Sequence, residues 1–183
     1  MKVPTEMRAA GSSRLRWVLV SAVVTQLMIV LDMTVIAIAL PHMQQDLAMS
    51  AEQRPWVVTG YSLAFGGLVL FGGKICAVIG IRRSYLTGLI GFAGASMVAG
   101  LAPSFLVLVT ARAVQGVFGA LLAPTTLALV NVTFTERTAR GRAFAVLGAT
   151  GGVGAAVGLL LGGALTEGLS WRWSLYVNVG IAA

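Results

Sequence analysis

The sequence predicts an all-α, polytopic membrane protein, and three observations carry that reading. Hydrophobic residues make up 57% of the 183 positions and charged residues only 10%, with a mean hydropathy of +0.90. A soluble domain usually carries about 25% charged residues. The apolar residues gather into long runs, and the basic residues fall between alternate runs. A backbone in hydrocarbon must satisfy its own hydrogen bonds, which leaves helices or a closed barrel. Barrel strands alternate apolar and polar side chains over about 10 positions. These runs do not alternate, so they read as helices.

A crossing needs roughly 20 predominantly apolar residues, and the chain divides accordingly. Residues 1–16 form a polar tail, and the first span covers about 17–40 and stops at Pro41. The second covers about 56–79 and the third about 85–101. The fourth covers about 105–130, with Pro124 in its inner part, and the fifth about 143–165. A sixth starts near Trp173 and is incomplete, since only about 11 residues remain before Ala183. On this count the chain breaks off within a helix.

The net charge of +7 is sorted by position. Lys2, Arg8, Arg14 and Arg16 precede the first span, Lys74, Arg82 and Arg83 lie between the second and third, and Arg137, Arg140 and Arg142 between the fourth and fifth. The other connections hold only Arg54 and Arg172. Basic residues concentrate on the cytoplasmic side of a membrane, so the N-terminus is expected inside a multi-pass protein of the cell membrane. The surrounding partner is the lipid bilayer. Nucleic acid is excluded as a partner, because its surfaces gather cations on one face with aromatic platforms between them. The first run is too long for the core of a cleaved signal peptide. Cys76 and His42 stand alone, so no disulfide or cysteine-based metal cluster is expected, and no nucleophile–base or paired-carboxylate arrangement suggests an enzyme. Asn131-Val132-Thr133 matches a glycosylation acceptor but falls at the cytoplasmic end of a helix.

Within the spans, Gly154, Gly158 and Gly162 recur every four positions, which places them on one helix face where a second backbone can come close. Such a stripe reads either as plain packing or as a sliding surface. Two ionisable residues lie well inside spans, Asp32 and Arg112. Each costs about 2.5–3.5 kcal/mol to insert at a helix centre. A rise of 1.5 Å per residue puts Asp32 about 13 Å and Arg112 about 10 Å below the same outer surface. At matching depth they can pair, either as a structural ion pair or as a site where protonation of Asp32 is sensed by Arg112. Gln115 and Gly116 follow Arg112 at three and four positions and share its helix face.

These stretches resemble a known family. LDMTVIAIALP (31–41) is similar to the first-span signature of the fourteen-span drug:proton antiporters of the major facilitator superfamily, and WVVTGYSLAFGGLVLFGGK (56–74) to their second span. ARAVQGVFGALLAP (111–124) carries an R-x-x-Q-G motif as Arg112, Gln115 and Gly116. The fifth span and WRWSLYVNV (171–179) resemble the family's antiporter motif and the start of its sixth span. The resemblance covers nearly the whole chain after about residue 14. It implies the N-terminal half of a major-facilitator bundle that exports drugs or other amphipathic small molecules in exchange for protons. No cofactor is implied; the proton gradient supplies the energy. Asp32 and Arg112 would serve proton coupling, with Gln115 and Gly116 as the supporting motif. Gly73, Lys74, Gly80, Arg82 and Arg83 would belong to the cytoplasmic loop that steadies one conformation. A C-terminal half or another copy of the chain would complete the transporter, because the family's halves rock around a midplane site.

The chain also departs from the family's pattern. In the loop motif G-x-L-A-D-R-x-G-R-[KR], Gly73, Gly80 and Arg82 fit, whereas Ala77 stands at the acidic position and Val78 and Ile81 at basic ones. Leu159 replaces the proline after Gly158, and Gly180 the proline after Val179. The alternative expectation is a truncated, non-transporting membrane protein, a remnant or assembly partner of a full transporter.

Overall fold

Long uninterrupted apolar runs favour helices that are stabilised by side-to-side packing, and the chain is arranged in this way throughout. The computed structural model describes residues 5–182, with side chains for residue 13 and for 15–182 except 167. Six helices follow one another: α1 (Thr5–Asp46), α2 (Trp56–Ile79), α3 (Ile81–Gly100), α4 (Phe105–Thr133), α5 (Arg137–Gly168) and α6 (Trp171–Ala182). No strand occurs among the described residues. Four helices are long and apolar enough to cross a membrane: α1, α2, α4 and α5. The 20-residue α3 opens with Arg82 and Arg83, and α6 has 12 residues.

The helices overrun the apolar runs. Those runs marked what hydrocarbon requires, whereas a helix continues wherever its next turn finds partners. α1 does not stop at Pro41 but continues to Asp46, with the proline inside it. An interior proline removes one backbone hydrogen bond and crowds the carbonyl four residues back. Burial of Met43 and the bonds of Asp46 to Trp171 and Arg172 hold the extra turn in place. At its other end α1 is already helical from Thr5, within the expected tail, and Lys2 lies outside the described residues. α3 and α5 begin at Ile81 and Arg137, ahead of the apolar runs, because arginine is a good helix former.

α4 packs against α2 and α3, α1 packs against α5, and α6 lies on α3 and α1. Glycine permits two of these contacts. A Cβ on Gly72 would overlap the Ala120 carbonyl, and one on Gly116 would overlap the Tyr61 carbonyl, so α2 and α4 touch backbone to backbone. The stripe Gly154, Gly158, Gly162 lies against α1, facing Leu27 and Val30, then Thr34, then Val35 and Ile38. Gly80 has φ +88°, a left-handed conformation that only glycine adopts easily, and it turns the chain from α2 into α3 in a single residue.

The core is divided along the bundle. Ala22, Val130, Phe134, Ala143 and Leu147 pack at the arginine-rich end, Met28, Ile29, Tyr61, Phe92 and Leu122 at the centre, and Ile36, Met43, Val57, Leu108, Trp171 and Leu175 toward the opposite end. The outer surface is apolar as well: Leu70, Val78 and Leu160 are 80%, 84% and 76% exposed. A surface of this kind requires lipid around it, and the chain is a multi-pass membrane protein.

Candidate functional site: a buried polar cluster around Asp32

Polar groups in a membrane interior persist only where they satisfy one another, and five do so at one place. Asp32 comes from α1, Ser96 from α3, Arg112 and Gln115 from α4, and Asn178 from α6. Each is at most 1% exposed. Arg112 Nη1 donates to Asp32 Oδ2 at 2.6 Å and to Gln115 Oε1 at 2.7 Å. Gln115 Nε2 donates to Asp32 Oδ1 and to Ser96 Oγ, both at 2.7 Å. Asn178 Nδ2 donates to Asp32 Oδ1 at 2.6 Å and to Ser96 Oγ at 3.3 Å. Arg112 Nε also reaches the Val57 carbonyl at 3.4 Å, and the guanidinium lies 4.5 Å from the centre of the Tyr61 ring.

The spacing of the residues explains the convergence. Arg112 and Gln115 are three apart on α4 and so share a face. Gly116, one position on, removes the side chain that would hold α2 away, and this closeness seats Tyr61 under the guanidinium. Asn178 follows Trp171 by seven residues, two helical turns, on the face of α6 that meets α1. Chemically, the carboxylate accepts from three donors on two helices, and its one cationic partner cannot lose its proton. A proton arriving on Asp32 would meet only N–H groups. It would displace at least one of them.

Asp32, Arg112 and Gln115 thus come together as their depths and spacing suggested, with Gly116 directly behind them. The loop residues do not join them. Gly80 forms the α2–α3 corner, Gly73 lies 3.9 Å from Pro124 through an added Cβ, and the Lys74 amino group sits 5.9 Å from the Phe71 ring. Among the described residues the ion pairs are Asp32–Arg112 and Asp46–Arg172, and Ala77 stands in the loop motif with Lys74, Arg82 and Arg83.

Sequence reasoning missed Ser96 and Asn178 as members of the cluster. It also missed a second polar group at the end away from the arginines. There Arg172 Nη1 and Trp171 Nε1 donate to Asp46 Oδ2 at 2.5 and 3.0 Å, and Arg172 Nη2 donates to the Ala102 carbonyl at 3.3 Å. For Ser96 and Asn178 the available signal was an uncharged polar residue inside an apolar stretch, which is too common to single out; Asp46 and Arg172 lie in connections between the apolar runs, where charge is ordinary.

A sequence model of the Major Facilitator Superfamily matches residues 22–183. The chain belongs to the major facilitator superfamily. Among its relatives in that superfamily, the puromycin resistance protein of Streptomyces alboniger is 53% identical over 182 residues, covering 98% of this chain and 36% of that protein. The cephamycin export protein of Amycolatopsis lactamdurans is 42% identical over 174 residues, 95% of this chain and 36% of that protein. The multidrug efflux pump LfrA of Mycolicibacterium smegmatis is 42% identical over 155 residues, 85% of this chain and 31% of that protein. The chain therefore spans about a third of the length of these curated relatives. A solved structure of a bacterial homolog of the human lysosomal transporter Spinster, inward-facing and unoccupied, shares the fold. Its TM-score is 0.74 at 19% identity, over 92% of this chain and 40% of that one. Each half of a major facilitator protein nests two inverted three-helix units. The Asp32 cluster draws on α1 and α3 from one such unit and on α4 and α6 from the other.

Proposed function

We propose that this chain forms the N-terminal part of a proton-coupled exporter of drugs or other amphipathic small molecules. The observation that carries this reading is the Asp32–Arg112 pair, 2.6 Å apart and closed off from solvent among apolar helices. Ionisable groups at such places are costly and default to function. With Asp32 ionised, the pair is neutral and ties α1 to α4. With Asp32 protonated, Arg112 is left as a buried charge whose remaining partners are Gln115, the Val57 carbonyl and the Tyr61 ring. Removing one partner of a buried ion pair costs about 3–5 kcal/mol. A proton on Asp32 can therefore favour another arrangement of α1 and α4. The proton gradient supplies the energy, and no cofactor or enzymatic step is involved.

The names of the relatives, which speak of puromycin resistance, cephamycin export and multidrug efflux, support export of drugs as the substrate class. The N-terminus lies on the cytoplasmic side of the cell membrane, with Lys74, Arg82, Arg83 and the Arg137–Arg142 group facing the same way. α3 supplies a further crossing. A C-terminal half, or another copy, supplies the opposite wall of the transport path.

The test joins this chain to the C-terminal remainder of the puromycin resistance relative in a host lacking its own exporters. Cells are expected to extrude ethidium, to stop when an uncoupler is added, and to lose extrusion in Asp32→Asn with membrane insertion intact. Undiminished, uncoupler-sensitive extrusion by Asp32→Asn would remove that carboxylate from the coupling role.

A further inference from the structure

We infer that Asn178 is a positioning residue that reads the protonation state of Asp32 and passes it to α6. The inference rests on the proton-coupling reading above. Asp32 Oδ1 accepts from Gln115 Nε2 and Asn178 Nδ2, and Oδ2 accepts from Arg112 Nη1. A protonated carboxyl becomes a donor, so one of these partners must turn into an acceptor. Arg112 has no acceptor to offer. Gln115 has an amide oxygen, but that oxygen already receives Arg112 Nη1 at 2.7 Å, so turning its amide would break a charge-assisted bond. Among the described residues, the Asn178 amide has its hydrogen bonds through Nδ2, to Asp32 and Ser96, and no charged donor holds its oxygen.

An asparagine amide offers two N–H donors on one side and a carbonyl acceptor on the other. Half a turn about its terminal torsion puts oxygen where nitrogen stood. A proton entering on Asp32 Oδ1 then replaces an N–H···O bond by an O–H···O bond, and the carboxyl keeps its link to α6. Ser96 Oγ, which now accepts from both amides, can donate its own hydrogen to the turned oxygen. Among the described residues, the charged or titratable groups facing Asp32 are Arg112 from α4 and, beneath the guanidinium, the Tyr61 phenol from α2. α3 and α6 present Ser96 and Asn178, and α5 meets this part of α1 through glycine. α6 is anchored to α1 a second time through Trp171 and Arg172 on Asp46, so a turn at Asn178 acts on a helix whose far end is fixed.

The sequence makes the test clean, because Asn131 and Asn178 are the only asparagines and Asp32 and Asp46 the only aspartates. The chain is produced with isotope-labelled asparagine and aspartate in lipid nanodiscs and followed by NMR across a pH series. The side-chain amide signal of Asn178 is expected to move over the same pH interval as the Asp32 carboxyl signal, with Asn131 unmoved, and to stop responding in Asp32→Asn. An Asp32 carboxyl that moves while the Asn178 amide stays still overturns the inference and leaves the coupling reading standing. An Asp32 carboxyl that never responds overturns the coupling reading, and the inference falls with it. In Asn178→Leu, produced with labelled aspartate, valine and glycine, the Asp32 signal should persist while the backbone amides of Val179 and Gly180, which follow it in the unsubstituted chain labelled in the same way, cease to do so. If they still follow, the change reaches α6 by another route and Asn178 is not the reader. Should Asn178→Leu fail to fold, the unsubstituted chain alone decides the question.

Discussion

Arg112 is among the largest fully buried side chains in the bundle, and it meets Asp32, Gln115, the Val57 carbonyl and the Tyr61 ring at once. Its truncation should be severe. Arg112→Ala leaves Asp32 as an uncompensated buried charge, and the expected loss is about 3–5 kcal/mol in a denaturant titration of the detergent-solubilised protein. Arg112→Ala combined with Asp32→Ala should lose less than the two single changes added together, with a coupling of about 0.5–3 kcal/mol for residues in one network. Additive losses would mean that the pair does not interact. The pair was legible in the sequence because charge inside an apolar run is costly, and because helical rise fixes depth from the span boundaries. Ser96 and Asn178 were not legible. Uncharged polar residues carry no comparable insertion cost, and their place in the cluster depends on how α3 and α6 are rotated, which only packing decides.

At the level of helices, the contact between α1 and α5 gives the sharpest contrast. A Cβ at position 158 would collide with the Thr34 side chain, whereas one at position 163 meets open space. Gly158→Ala should therefore destabilise by about 1–3 kcal/mol through overpacking. Gly163→Ala should be neutral or stabilise by up to about 1 kcal/mol, as glycine is a poor helix former. Equal effects from the two substitutions would contradict the observed face. The spacing of the stripe was readable; which helix it faces was not, since a four-residue repeat names a face and not a neighbour. Helix ends were also beyond the sequence, as α1 passing through Pro41 shows, because its last turn is held by α6, more than a hundred residues away in sequence. That outer contact should matter less for stability. Asp46 and Arg172 are 46% and 32% exposed, so Asp46→Asn is expected to cost no more than about 1 kcal/mol.

On the scale of the whole molecule, the helical multi-pass class followed from composition, since lipid admits few architectures, whereas the major-facilitator bundle was legible only through the resemblance of motifs such as Arg112-x-x-Gln115-Gly116. The proposed orientation is open to direct labelling. In a Cys76→Ser background, Ala51→Cys should react with a membrane-impermeant maleimide on intact cells, and Arg83→Cys only after permeabilisation. The reverse pattern would invert the topology. The account as a whole turns on exchange at Asp32, and the measurement closest to that claim is proton movement itself. The extended chain is placed in liposomes that enclose a pH-sensitive dye, with an outward gradient of ethidium as the only driving force. Ethidium leaving should draw protons inward and acidify the lumen, and Asp32→Asn should abolish the acidification. A lumen that stays at constant pH while ethidium leaves through the unsubstituted protein, or acidification that persists in Asp32→Asn, would contradict it.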